Sequence, residues 1–204
     1  LLFIPHFIKS LGSNNRYSSA SADQLPHHVA SHYMLGHGML IPIPDIDRTD
    51  YMLIIGGNPL VSNGSMMTAP GYGKRIKAIQ ERGGKVVVVD PRRTETARKA
   101  DEHIFIKPEQ DALLLMAMVQ VLFEKDLVNL RHLESFTDGV EEVRKIVKDF
   151  TPELVGPIAG IAPAKIRQLA TEMATAESAV CYSRMGASTQ SFGGLCLWLT
   201  NVFN

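Results

Sequence analysis

At 204 residues with 45% hydrophobic content, the chain is long enough for one α/β domain with a sizeable core. Lysine plus arginine and aspartate plus glutamate are equal at 21 each, so net charge supplies no argument for nucleic acid or an anionic membrane surface. Two cysteines, Cys181 and Cys196, exclude a disulfide-rich scaffold and give no paired CxxC for zinc, and no apolar run reaches membrane-spanning length.

The chain opens on LLFIPHFIKSLG, with no initiator Met and no signal-peptide pattern, and closes on LCLWLTNVFN inside an apolar helical pattern. Both ends read as cut from something longer. Residues 1–11 are apolar around Pro5 and predict a short helix or the tail of a neighbouring domain; residues 12–23 are small and polar and predict a loop. The stretch 26–39 is expected to begin with a helix, with Val29 and Tyr33 on one face. Tyr51–Ile55 is a short apolar run, as in a strand buried on both faces, and Gly56-Gly57-Asn58-Pro59 stops it sharply. Tyr72, Ile76 and Ile79 share a face of a helix over 72–82, which Gly83-Gly84 terminates. Lys85–Val89 predicts a second buried strand, closed by Asp90-Pro91 with Arg92 and Arg93 just beyond. Two buried strands joined through a helix make a βαβ crossover and hence a parallel sheet.

Beyond it come a helical turn over 94–100, a third strand over 103–106 and a well-buried helix from Asp111 to Lys125. Residues 139–150 form an amphipathic segment with Val140, Val143, Val147 and Phe150 on one side, and Thr151-Pro152 is a helix-start signal. A further helix over 164–174, a fourth strand over 178–182 and a glycine-bearing loop over 184–194 follow. The pattern predicts a three-layer α/β fold around a mostly parallel, doubly wound, Rossmann-like sheet.

In such sheets ligands sit beyond the carboxyl ends of the strands. Gly56 and Asn58, Asp90 and Arg92, and Asp111 all follow predicted strands, so bare backbone, two carboxylates and a guanidinium are expected at one edge. A carboxylate can accept both N1–H and N2–H of guanine. The same residues also suit ordinary work: Asp111 as a helix N-cap, Asp90 as a turn carboxylate, Gly56 as a strand-to-helix turn. Met185, Gly186 and Gln190 could offer backbone and amide contacts to a flat ligand. His27, His28, His32 and His37 make a histidine-rich stretch, but a metal site there needs further ligands.

The run DRTDYMLIIGGNP … GGKVVVVDPRRTETARKADEHIFIKPEQDALLLMAM, with GSNN near the start and RMGASTQSFGG near the end, resembles the molybdopterin-dependent oxidoreductases, the family of dimethyl sulfoxide reductase, formate dehydrogenase and respiratory nitrate reductase. Each motif is weak alone; their order and spacing carry the match. The resemblance implies a bis(molybdopterin guanine dinucleotide) cofactor on molybdenum or tungsten, held between two related α/β domains. Residues 19–204 are similar to the second of these and residues 1–18 to a tail of the preceding domain. Position by position, it puts Gly56 and Asn58 on the turn that meets the cofactor and Ser62 on a phosphate contact. Asp90 and Arg92 fall at the guanosine end, Asp111 on guanine, and Met185, Gly186 and Gln190 near the pterin. It implies Asp23 as the metal's protein ligand and catalytic residue, as in the nitrate reductases, and a carboxylate suits a hard, high-valent metal. Gln24 stands where formate dehydrogenases carry a functional His, and Glu109-Gln110 replaces a typical Gly-Thr or Gly-Ser.

The cysteine cluster of an iron–sulfur centre, common upstream in this family, is not in the sequence; such a cluster is expected on a preceding part of the parent chain. Expected partners are the remaining domains of that chain and electron-transfer subunits, with no nucleic acid and no membrane contact, in the cytoplasm with the periplasm left open. Two other readings stand beside it: a nicotinamide-dependent dehydrogenase, against which the absent GxGxxG counts, and a non-catalytic relative that kept the fold and lost the cofactor.

Overall fold

The computed structural model of the chain describes residues 3–15 and 17–204. Leu1, Leu2 and Arg16, which belong to the expected apolar start and the polar loop after it, lie outside them. Helices α1 (Phe3–Ser10), α2 (Ala20–Asp23) and α3 (Leu25–Leu35) precede strand β1 (Tyr51–Ile55), helix α4 (Tyr72–Glu81), strands β2 (Lys85–Val89) and β3 (Glu102–Ile104), and helix α5 (Asp111–Glu124). Helices α6 (Val140–Val147), α7 (Pro152–Ala159) and α8 (Pro163–Thr175) lead to strand β4 (Ala179–Ser183), and α9 (Met185–Ser188) and α10 (Gly193–Phe203) complete the order.

The four strands form one all-parallel sheet in the order β3-β2-β1-β4. Alternation of side chains across the pleat divides the core in two. Tyr51, Leu53, Ile55, Val87, Val89 and Cys181 face α5, α7, α8 and α10, and Met52, Ile54, Val86, Val88 and Tyr182 face α4 through Tyr72, Ile76 and Ile79. Both strand faces are covered, which is why β1 and β2 read as unbroken apolar runs. Each fully buried Leu or Ile side chain contributes about 1.5–3 kcal/mol.

The register positions the site. Ile55 lies opposite both Val89 and Ser183, and Val89 lies opposite Ile104, so the strands end level with one another. Whatever follows each strand therefore begins on one rim. At the opposite edge of the sheet, Lys85 bridges Glu102 and Glu172 at 3.0 and 2.8 Å, and Lys165 joins Glu102 at 2.6 Å, so that edge is stitched shut by paired charges.

Several boundaries differ from the sequence reading. The third strand stops at Ile104, because Phe105 turns out to solvent and the Lys107 amide bonds the Ala159 carbonyl on α7. Within the expected loops, residues 20–23 and 185–188 coil into short helices. Helix α3 turns the other way round: it packs on α10 and buries His27, Ala30 and Ser31, leaving Val29 and Tyr33 outward. Small side chains at that contact let the two helices approach, and this outweighs the larger area of Val29 and Tyr33. Helix α7 starts as expected, with the Thr151 hydroxyl accepting from the Leu154 amide and Pro152 in the first turn.

Cys181 and Cys196 are free and buried, and burial pushes both thiols up to about 12. Among the described residues no helix is long and apolar enough to cross a membrane.

Glu109 sits at φ +67°, a left-handed conformation that a side chain adopts at a cost of about 1–2 kcal/mol. The substitution Glu109→Gly should therefore stabilise the chain by about 1 kcal/mol after glycine's own chain-entropy cost, seen as a higher urea midpoint with an unchanged slope.

Candidate functional site

The rim is assembled where the loops after β1 and β4 touch. Gly56 has φ +58°, its amide donates to the Val89 carbonyl at 3.0 Å, and its own carbonyl accepts from the Gly186 amide at 2.8 Å. A Cβ on Gly56 would lie 2.5 Å from the Ala187 nitrogen, and one on Gly186 would lie 2.8 Å from the Gly56 Cα. Two backbones cross here without room for a side chain, so peptide groups rather than side chains are presented to whatever occupies the rim.

Gln190 reaches across this crossing. Its Nε2 donates to the Gly186 carbonyl and to Asp111 Oδ2, both at 2.7 Å. Its Oε1 is buried and has no hydrogen-bond partner among the described residues. Asp111 opens α5 and is 4% exposed, with its carboxylate near the positive end of the helix dipole. Burial raises its pKa; donation from Gln190 works against this, and the nearby charge of Asp90 adds to the rise. Asp90 is half-buried, Oδ1 accepts from the Arg92 amide at 2.8 Å, and burial raises its pKa despite that bond and the nearby His103 and Arg92. Two acids are thus held on one rim, and burial is the leading influence on both.

Asn58 lies on the β1 loop with its amide turned to the β2–β3 connection, where Oδ1 accepts from Thr96 and Nδ2 donates to Glu95. Ser62 is exposed and turns back on its own loop, with its hydroxyl donating to the Asn58 carbonyl at 3.2 Å. Arg92 and Met185 are exposed. Asp23 ends α2 partly buried, and its carbonyl accepts from the Ser188 hydroxyl on α9 at 2.9 Å.

The structure thus joins Gly56, Gly186, Gln190 and Asp111 directly, sets Asp90 beside them, ties Asn58 to the Asp90 loop and fastens the Asp23 segment to α9. Ser62 reaches only the Asn58 carbonyl, and the exposed Met185 side chain makes no hydrogen bond to these residues.

Two residues outside the sequence-derived set organise the rim. Arg184, at the tip of β4, donates from Nε to the Ser65 hydroxyl at 2.6 Å, while its Nη1 lies 2.9 Å from His27 Nε2. One guanidinium therefore ties the loop after β1 to α3. Burial first, and then Arg184, lower the His27 pKa to about 4, so that imidazole is neutral at physiological pH. Glu95 is the other, bound by Asn58. Position after a strand marks Arg184; Glu95 sits in a stretch that reads as a helical turn and carries no local signal.

Among the described residues no group of three or more His, Cys, Asp and Glu is placed to hold a metal ion. The histidine stretch is spent on structure: His27 on Arg184, and His28 Nδ1 on the Gly38 carbonyl at 2.7 Å. A cavity of about 200 Å³ lies along the outer edge of β4, lined by His27, Ser31, Ile43, Ser183 and Thr200, and one of about 450 Å³ lies beside Tyr72, Lys74 and Lys99. Neither is lined by Gly56, Gln190 or Asp111.

The chain is thus an α/β domain with an all-parallel sheet whose acids, amides and glycine turns collect at the carboxyl ends of the strands, the edge at which such sheets take their ligands. The family model described as molybdopterin oxidoreductase matches residues 2–149, and the chain belongs to that family. It is 37% identical over 186 residues to formate dehydrogenase H of Escherichia coli (strain K12), covering 91% of this chain and 25% of that protein. It is 32% identical over 151 residues to the F420-dependent formate dehydrogenase subunit alpha of Methanocaldococcus jannaschii, covering 74% and 22%. In fold it is similar to acetylene hydratase from Pelobacter acetylenicus, with a TM-score of 0.79 at 24% identity over 98% of this chain and 26% of that one. The chain therefore spans about a quarter of the length of these relatives.

The crossing and the buried acid can each be tested. Gly56→Ala and Gly186→Ala should each cost about 2–3 kcal/mol in chemical denaturation, whereas Gly194→Ala, whose Cβ would meet nothing within 4 Å, should be neutral or mildly stabilising. Asp111 has a folded pKa above its unfolded value, so its stabilising effect is complete below about pH 3.9 and is lost as pH rises through the folded value. Asp111→Asn should accordingly raise the melting temperature of the cofactor-free chain at pH 7, and the gain should vanish below that pH.

Proposed function

We propose that residues 19–204 form one of the two α/β domains that cradle a bis(molybdopterin guanine dinucleotide) on molybdenum or tungsten, within a larger two-electron oxidoreductase; residues 1–18 are then the tail of the preceding domain. The observation that carries this reading is the Asp111–Gln190 pair. Asp111 is a buried carboxylate with a raised pKa, and Gln190 Oε1 is a buried acceptor without a donor among the described residues. Both atoms ask for N–H groups. Guanine brings N1–H and N2–H along one edge, and a pterin brings a comparable edge. The crossing of Gly56 and Gly186, which excludes any Cβ, keeps side chains off this stretch of the rim and holds Gln190 against Asp111. The residues present therefore fit the cofactor.

In this reading Asp111 accepts from the guanine edge, Gln190 orients Asp111 and receives a further N–H, and Gly56 and Gly186 bring peptide groups to the pterin beside Met185. Asp90 and Arg92 bind the guanosine end, with the guanidinium on phosphate, and Ser62 adds a hydroxyl. Asp23 ligates the metal and is the residue at the reaction centre, held by the Ser188 and Arg184 fastenings of α2 and α3. When bound, the cofactor supplies two-electron chemistry, with transfer of an oxygen atom or a hydride equivalent. The chain alone holds one half of the cradle and is inactive by itself. The rest of the parent chain, an iron–sulfur cluster on its preceding part and electron-transfer subunits complete the enzyme, in the cytoplasm. Two of the relatives are named for formate, but Gln24 stands where the resemblance to formate dehydrogenases implies a functional histidine. The reading therefore assigns the reaction class and not formate.

The test is metal and pterin analysis of the full-length protein. It should contain molybdenum or tungsten and release two guanine nucleotides per metal; a protein devoid of both would make the chain a non-catalytic relative. Asp111→Ala should lower guanine nucleotide content several-fold. Asp23→Ala should abolish turnover with pterin content largely intact, and retained turnover would remove Asp23 from the reaction centre.

A further inference from the structure

Asn58 differs from the other polar side chains of the rim in that its amide is already engaged by protein. Oδ1 accepts from both the Thr96 amide, at 3.2 Å, and the Thr96 hydroxyl, at 2.8 Å, while Nδ2 donates to Glu95 Oε2 at 2.8 Å. The Thr96 hydroxyl in turn accepts from the Leu60 amide at 3.2 Å, two residues beyond Asn58, which closes a ring of hydrogen bonds between the two loops. Thr96 is completely buried. The second Glu95 oxygen, Oε1, faces Arg92 Nη2 at 3.5 Å and Arg98 Nη1 at 3.9 Å. Donation from Asn58 is the leading reason that the Glu95 carboxyl lies below the ordinary range.

These bonds join two neighbouring strand ends. Asn58 belongs to the loop that leaves β1, and Glu95 and Thr96 belong to the connection that leaves β2 through Asp90, Pro91 and Arg92. An asparagine side chain suits the place because one rigid plane carries a donor for the carboxylate and an acceptor for Thr96. An aspartate would set two carboxylates face to face. The Arg92 side chain is 70% exposed and, without Glu95, would sample many rotamers.

We propose that Asn58, Glu95 and Thr96 form a clasp that positions the nucleotide-binding rim: Asn58 does not touch the cofactor, but sets the spacing of the β1 and β2 loops and, through Glu95, holds Arg92 over the phosphate or ribose. Asn58 and Glu95 are thus positioning residues. This inference rests on the reading that Asp90 and Arg92 serve the guanosine end of the dinucleotide. It turns Asn58 from a ligand contact into a part of the frame.

The two roles separate in full-length enzyme carrying its cofactor, scored by guanine nucleotide released on acid hydrolysis per metal atom and by melting temperature. Asn58→Asp should lower nucleotide content at least about fivefold. The double substitution Asn58→Asp with Glu95→Gln restores the hydrogen bond with its direction reversed, the new amide donating to the new carboxylate, and should return nucleotide content to within about twofold of wild type. If Asn58 touches the cofactor through its amide donor, the double variant stays as empty as the single one, and the clasp is overturned. In an Arg92→Ala background, Asn58→Asp should cause no further loss if the clasp acts through Arg92; additive losses would overturn that route. Should Asn58→Asp fail to fold, Glu95→Ala leaves Asn58 in place and should still lower nucleotide content, and wild-type content there would sink the inference. Asp111→Ala is the separate check on the underlying reading. If it leaves nucleotide content unchanged, the dinucleotide site itself is misplaced; if it lowers content and the double variant does not recover, the clasp alone fails.

Discussion

The contact between Gly56 and Gly186 is the constraint on which the rim depends. The β1 and β4 tips approach until one backbone carbonyl accepts from the other's amide, and the space that a single methyl group would need is already filled by main chain. This approach brings Gln190 over Asp111, since Gln190 is anchored to the Gly186 carbonyl by the same nitrogen that holds the carboxylate. Widening the crossing would part the amide from the acid. The level ending of the strands supplies the platform, and the glycine pair supplies the closeness.

The electrostatics run against stability at the same place. Asp111 and Asp90 are both pushed toward protonation by burial, and the charge of Asp90 adds to the rise at Asp111. At the far edge of the sheet, by contrast, Lys85, Lys165, Glu102 and Glu172 neutralise one another. A fold selected for stability alone would treat both edges alike. The two buried acids and the Gln190 oxygen, which has no donor among the described residues, sit together on one rim, as expected where a ligand completes the hydrogen bonding.

Much of the architecture was legible in the sequence because strands buried on both faces leave an unbroken apolar run. Tyr51–Ile55 and Lys85–Val89 were readable to the residue, and the start of α5 was readable as falling near Asp111. The glycines and acids of the rim were readable from their place after those strands. The orientation of α3 was not, because it is decided by how closely α10 can approach, and small residues such as Ala30 and Ser31 win that contest without any periodic signal. The roles of Arg184 and Glu95 were likewise hidden, since each acts on residues far away in sequence: Arg184 on His27 and Ser65, Glu95 on Asn58. Asn58 shows the limit most clearly. Its place after a strand suggested a ligand, whereas its hydrogen bonds turn it toward the neighbouring loop.

The two thiols have a practical corollary. Cys181 and Cys196 are buried and protonated across the whole range in which maleimides and iodoacetamides react, so the native side chains are silent to such reagents while the fold holds. In this chain by itself, a cysteine introduced at an exposed position such as Phe136 would then carry a fluorophore or spin label alone, with no need to strip the natural ones, and would report on unfolding without disturbing the core.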